Sequence, residues 1–268
     1  MSTVSGAEEP KLLPMRTTAG LLNPEEPYSL VIGYQAQPET RIAFRKYLTK
    51  EFIGQLDRWQ QGGVLQNYQL LFQNIAAYNR YPDAILIITF PNFRATYNWN
   101  KIEEERPGGL SEDGLKLAAP KYSMITERVA QRFVQAADPS DNVIEVGYYN
   151  INDSNLYPQF IKEYVVPLWD NWIGQGNGAI TEYAVYKAMD AFLFGREHTQ
   201  YVEPWQALVV LGYRDADAYT NRARMVLKSY ADLQTNVRFN YWTAKEHRAQ
   251  ARQQFTIAFY RQIGSSWK

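Results

Sequence analysis

The chain has 268 residues, enough for one large domain or two of ordinary size. Its 28 basic and 28 acidic residues cancel, and no basic tract exceeds two residues, so nothing favours a nucleic-acid partner. Cysteine is absent, which excludes disulfides, thiolate catalysis and cysteine-ligated metals, and no apolar run approaches the roughly 20 residues that span a bilayer.

Hydrophobic residues make up 46% of the chain, enough to bury a proper core. Aromatics reach 15%, with 20 Tyr and 7 Trp, which fits an aromatic core or a pocket lined with rings. Residues 1–27 carry Gly6, Pro10, Pro14, Gly20, Pro24 and Pro27 and no periodic apolar pattern. They read as an extended arm. No basic start followed by an apolar stretch appears there, so a cytoplasmic chain is expected, with an exported mature chain left open.

A first strand is expected from Tyr28 to Gln35. A helix follows to about Gln61, with Phe44, Tyr47, Leu48, Phe52, Leu56 and Trp59 on one face, and Gly62-Gly63 stops it. Strand two runs from Val64 to Gln73. Ala84 to Phe90 is a continuous apolar run, the pattern of a strand buried on both faces. Pro91-Asn92 opens a helix to about Glu105. Ser111 to Thr126 reads as mostly helical with a break near Pro120, and Arg132-Phe133-Val134 as the end of a further strand. Asp138 to Asp141 is a turn.

The pattern then repeats. A strand starts at Val143, and a helix from Leu156 to Ile173 shows Tyr157, Phe160, Ile161, Val165, Trp169 and Trp172. Moved back 113 positions, these fall on the first helix's apolar stripe, and Asp170 falls on Asp57. Ala179 to Lys187 repeats strand two, with Tyr183 answering Tyr68, and Ala207 to Tyr213 repeats the buried strand. Asp215 caps the next helix, and Phe255 to Arg261 is the last strand. Each half reads β-α-β-β-α-β, the ferredoxin-like order, so an α+β fold is expected with repeats at 28–138 and 142–268.

Two ferredoxin-like repeats, sharing the Gly-Tyr strand of Leu30 to Tyr34 with Ile144 to Tyr148 and the helix ends Leu56-Asp57-Arg58-Trp59 with Trp169-Asp170-Asn171-Trp172, resemble the dimeric α/β-barrel superfamily. The resemblance covers nearly everything from Tyr28 onward and rests on the fold. It implies two antiparallel sheets closed into a barrel with helices outside. Its members include cofactor-free monooxygenases of polyketide biosynthesis, haem-degrading and chlorite dismutase-like enzymes, and stress-associated proteins, so fold alone does not choose the chemistry.

In strand one of the second repeat, Ile144, Val146 and Tyr148 share one face and Glu145, Gly147 and Tyr149 the other. The first set is expected to meet the helices, which points Glu145 into the barrel, with Glu182 on the same side. A carboxylate in an aromatic pocket has a raised pKa and suits a general base. The plainer alternative is a solvated strand-end residue or one paired with arginine. His198, in an aromatic loop, is a third acid/base candidate. His198 or His247 would be the axial ligand if haem were bound.

Tyr34, Tyr68, Tyr148, Tyr149, Tyr183, Phe192, Tyr201 and Trp205 are the candidate ligand-binding residues. No Gly-rich phosphate loop and no nucleophile elbow is present. The reading is a small-molecule binding protein or a cofactor-independent enzyme of oxygenase, cyclase or isomerase type. It would take an apolar or aromatic ligand inside the barrel, with no metal and no resident cofactor, as a monomer or homodimer. The alternatives are a non-catalytic stress or interaction protein and, more weakly, a haem enzyme.

Overall fold

A computed structural model describes residues 16–17, 20–21, 27–74, 81–92, 94–134, 141–175, 179–189 and 205–266. Within the expected arm, Arg16–Thr17 and Gly20–Leu21 form a short antiparallel ladder. The rest of that arm, up to residue 26, lies outside the described residues.

Eight strands form one closed barrel. They are β1 (Tyr28–Ala36), β2 (Asn67–Gln73), β3 (Ala84–Phe90), β4 (Ala118–Phe133), β5 (Val143–Ile151), β6 (Ile180–Ala188), β7 (Ala207–Tyr213) and β8 (Arg252–Ser265). The order around the barrel is β8-β2-β3-β1-β4-β6-β7-β5, with β5 closing onto β8 and every pair antiparallel. Each half therefore has the ferredoxin-like order 4-1-3-2, and the long fourth strands, β4 and β8, reach across to β6 and β2 of the other half. Closure leaves no barrel edge to be protected.

Helix α1 runs through Arg41–Tyr47, a π turn at Leu48–Phe52, and Ile53–Gln61. Its counterpart α4 runs through Leu156–Phe160, a π turn at Ile161–Val165, and Val166–Gln175. The two π turns occupy the same place in both repeats. A π turn inserts one residue and rotates the stripe that follows, so both helices meet their sheets in the same way. The outer layer also holds α2 (Ala95–Glu105), α3 (Glu112–Leu117), α5 (Ala216–Thr220), α6 (Arg222–Leu233), α7 (Val237–Thr243) and α8 (Lys245–Ala251).

One expectation fails between Ser111 and Thr126. Only Glu112–Leu117 is helical, and β4 begins at Ala118. Tyr122, Met124 and Thr126 alternate at the period of a strand and are buried. Pro120, read as a helix break, sits at a register shift opposite Tyr34, where a missing N–H is tolerated.

The core has three parts. One cluster packs β1–β3 against α1 and α2, a second packs the sheet of the other repeat against α4 to α8, and a third fills the barrel. The barrel cluster includes Val31, Leu71, Ile85, Ile87, Ile144, Val146, Tyr148, Tyr186, Val210 and Tyr260. This corrects the expected faces of β5: Ile144, Val146 and Tyr148 point into the barrel, while Glu145, Gly147 and Tyr149 face the helices.

Candidate functional site

Pairing registers align the two repeats residue by residue. Leu30 pairs with Ile88 as Glu145 pairs with Leu211. Ile32 pairs with Leu86 as Gly147 pairs with Val209, and Tyr34 with Ala84 as Tyr149 with Ala207. On the helix-facing side, then, the first repeat has Leu30 and Ile32 where the second has Glu145 and Gly147.

The helices above differ in the same sense. Asn92 Oδ1 accepts from Ala95 N at 3.0 Å, and Asp215 Oδ1, the N-cap of α5, accepts from Ala218 N at 2.7 Å, so the same three-residue bond precedes each helical stretch. Seven residues past that acceptor, the first repeat has Trp99 inside α2 and the second has Arg222, which opens α6 after the break at Asn221. Trp99 is 1% exposed and meets Trp59 edge-on at 5.4 Å. Gly109 holds φ at 78° and backs onto both rings; a β-carbon there would stand 2.8 Å from Trp99. That layer is closed by bulk.

In the second repeat a cavity of about 600 Å³ lies between the sheet, α4 and α6. Its floor is Glu145, Gly147, Tyr149, Val209, Leu211 and Tyr213. Trp169 and Trp172 of α4 form one wall, Arg222, Ala223, Val226 and Leu227 of α6 another, and Arg252 of β8 lies at the side. Leu227 is 70% exposed and marks the open side. Size and lining suit a small organic ligand.

Gly147 matters because a β-carbon there would stand 2.7 Å from the Tyr149 ring. Without one, Tyr149 lies over the strand, and the Arg252 guanidinium caps it at 4.1 Å from the ring centroid. Burial pushes the Glu145 carboxyl above its ordinary range, while the Arg222 charge and the Tyr213 hydroxyl, which donates at 3.4 Å, hold it back. Arg222 is placed by its own helix: it lies over the Tyr219 ring at 3.9 Å and donates to the Tyr219 carbonyl at 3.2 Å.

The other sequence candidates are dispersed. Glu182 is inside the barrel, on the far side of the sheet from the cavity, 4% exposed and bonded to Gln69 Nε2 at 2.8 and 2.9 Å. Tyr34 faces α1 and donates to the Gly108 carbonyl at 2.6 Å. Tyr68 and Tyr183 donate to Asp57 and Asp170 at 2.7 and 3.0 Å, the same bond made twice. Tyr148 and Trp205 pack inside the barrel, Tyr148 bonded to Tyr260 at 3.1 Å and stacked on Tyr81. Of the tyrosines named from the sequence, Tyr149 lines the cavity. His198, Phe192 and Tyr201 lie outside the described residues.

His247 stacks on Tyr241 at 3.9 Å, its Nδ1 lies 2.7 Å from that residue's carbonyl oxygen, and it does not line the cavity. Among the described residues the lining contains no histidine, and there is no cluster of metal-ligating side chains. The described lining residues therefore offer no imidazole to a haem, and His198 lies outside the described residues. Among the described residues no helix is long and apolar enough to cross a membrane. Gly147, Tyr213, Arg222 and Arg252 were missed as site residues, although the change from Trp99 to Arg222 at equal distance from Asn92 and Asp215 is visible in the sequence.

No protein-family model and no curated protein sequence matches the chain. Solved structures match its fold. A proposed monooxygenase from Fusobacterium nucleatum superposes with a TM-score of 0.56 at 10% identity, over 90% of this chain and 94% of that one. A proposed monooxygenase from Lactobacillus acidophilus gives 0.56 at 10% identity, over 90% and 96%. An anthrone oxidase-like protein gives 0.51 at 9% identity, over 90% and 92%. At such identities the likeness is one of fold: the chain has the dimeric α/β-barrel fold, with both ferredoxin-like halves in a single polypeptide.

Proposed function

We propose that the two repeats, 28–138 and 142–268, have divided the work, the first serving as scaffold and the second binding a small aromatic molecule between its sheet and helices. The observation that carries this is the coordinated replacement of Leu30, Ile32 and Trp99 by Glu145, Gly147 and Arg222, which turns a filled layer into a cavity with an acid and a cation. Packing alone would favour the apolar set, since burying charge is costly. The ligand site thus moves from the barrel interior, expected from sequence, to the opposite side of the sheet.

The chemistry proposed is proton transfer. Glu145 takes a proton from an acidic C–H or O–H bond of the bound molecule, and Arg222 faces the anion that forms. Return of the proton at another carbon gives isomerisation, attack on an electrophilic carbon of the same substrate gives cyclisation, and reaction of the anion with dioxygen gives a hydroperoxide that loses water to leave a ketone, one oxygen atom entering the substrate and the other leaving as water. The monooxygenase and anthrone oxidase-like descriptions of the similar structures favour the last. Glu182 has no route to this cavity and is assigned a structural role.

The test uses 2-tetralone, an aromatic ketone with acidic C–H bonds, in D₂O. Exchange of its α-protons, followed by NMR, should be faster with the protein than in buffer, and Glu145→Gln should remove the acceleration while leaving binding intact. Equal exchange with both proteins, or none with either, overturns the assignment.

A further inference from the structure

Arg252 is unusual among the groups that line the cavity. Its guanidinium lies between two rings, 4.1 Å from the Tyr149 centroid and 4.8 Å from that of Phe160. Among the described residues it makes no ion pair and no side-chain hydrogen bond. The rings hold it in place but satisfy none of its five N–H donors.

Arg222, the second cation, turns one N–H to the Tyr219 carbonyl. Among the described lining residues one carboxylate, Glu145, stands against these two guanidiniums, and burial disfavours its charged form. The cavity therefore carries an excess of positive charge beside flat apolar walls, Trp169, Trp172 and Tyr149. A neutral aromatic ligand would leave that charge uncompensated where water is partly excluded.

We infer that the ligand is an aromatic acid: a planar ring system carrying a carboxylate or a comparable anionic group, which Arg252 receives as a bidentate partner while the rings stack along the tryptophan wall. The inference rests on the proposed ligand cavity and deepens it. A guanidinium packed over two rings is positioned in advance and loses little freedom when the anion arrives. The geometry divides the labour: Arg252 anchors the fixed charge at the side, and Glu145 and Arg222 act on the reacting end over the floor. Arg252 is thus a specificity residue, and the reaction itself does not pass through it.

The test compares 2-naphthoate with 2-naphthamide, which share shape but differ in charge, by isothermal titration with the full chain. Wild type should bind the acid at least tenfold more tightly than the amide. Arg252→Gln should bring the two within about twofold by weakening the acid, and Arg252→Lys should restore part of the preference. Equal affinity of wild type for the two probes overturns the inference while leaving the cavity reading standing. A preference for the acid that survives Arg252→Gln also overturns it. Binding of neither probe overturns both. The wild-type comparison decides even where Arg252→Gln fails to fold.

Discussion

Gln69 Nε2 donates to both carboxylate oxygens of Glu182, at 2.8 and 2.9 Å, and so joins the two repeats through the barrel interior. The same nitrogen lies 3.0 Å from Gln262 Oε1. Gly212 makes room for the carboxylate, since a β-carbon there would stand 2.6 Å from Glu182 Cγ. Burial pushes the Glu182 carboxyl from 4.5 up to about 7, against the smaller opposite effect of the Gln69 bond.

A raised carboxyl pKa sets the sign of a pH effect. The folded protein holds the Glu182 proton more tightly than the unfolded chain does, so its contribution is fully present below pH 4.5 and is lost as pH rises to about 7. The loss amounts to roughly 3 kcal/mol. Glu182→Gln keeps the shape and cannot ionise. Urea unfolding at pH 5 and pH 8 should show wild type weakened at the higher pH by about that amount and the variant much less.

Glu145 and Arg222 make a separate expectation. Arg222 lowers a carboxyl pKa that burial raises. Arg222→Gln should therefore move the inflection of the 2-tetralone exchange rate to higher pH, because the base then loses its proton later. A profile of unchanged position would show that Arg222 does not face the carboxylate.

The paired bonds Tyr68–Asp57 and Tyr183–Asp170 hold each sheet to its first helix. Tyr68→Phe and Tyr183→Phe should each cost about 1 kcal/mol. The two losses should add, since the sites share no partner. Neither should alter ligand affinity, which separates these residues from the site to which the sequence assigned them.

Much of the fold is legible in the sequence because its signals are local. The stripes of α1 and α4, the run Ala84 to Phe90 with its repeat Ala207 to Tyr213, and the Asp215 cap are each set within a few residues. The face of β5 is not. Gly33-Tyr34 and Gly147-Tyr148 match as letters, but Tyr34 occupies the place of Tyr149, and that one-residue slip turns every side chain of the strand over. Glu145 stands out in the sequence as a candidate, but the letter match alone points it into the barrel, whereas the pairing register turns it towards the helices. Arg222 and Arg252 come from elements distant in sequence, and only the closed barrel and its helices bring them to Glu145. β4 was hidden because Pro120 reads as a helix break until its place at a register shift is seen.

Ile32 and Trp99 of the first repeat answer to Gly147 and Arg222 of the second, so introducing those two side chains should fill the cavity. Gly147→Ile with Arg222→Trp recreates Ile32 and Trp99. The added side chain at position 147 must displace the Tyr149 ring, which a β-carbon there would approach to 2.7 Å, so the variant fills the floor of the cavity without a gain in stability. The decisive measurement is titration of 2-naphthoate into wild type and this filled variant, followed by protein-observed NMR, with a thermal melt to show that both are folded. The account expects saturable shifts in wild type and none in a folded filled variant. Equal binding by both proteins, or none by wild type, would contradict the claim that the second repeat's sheet–helix cavity is the ligand site.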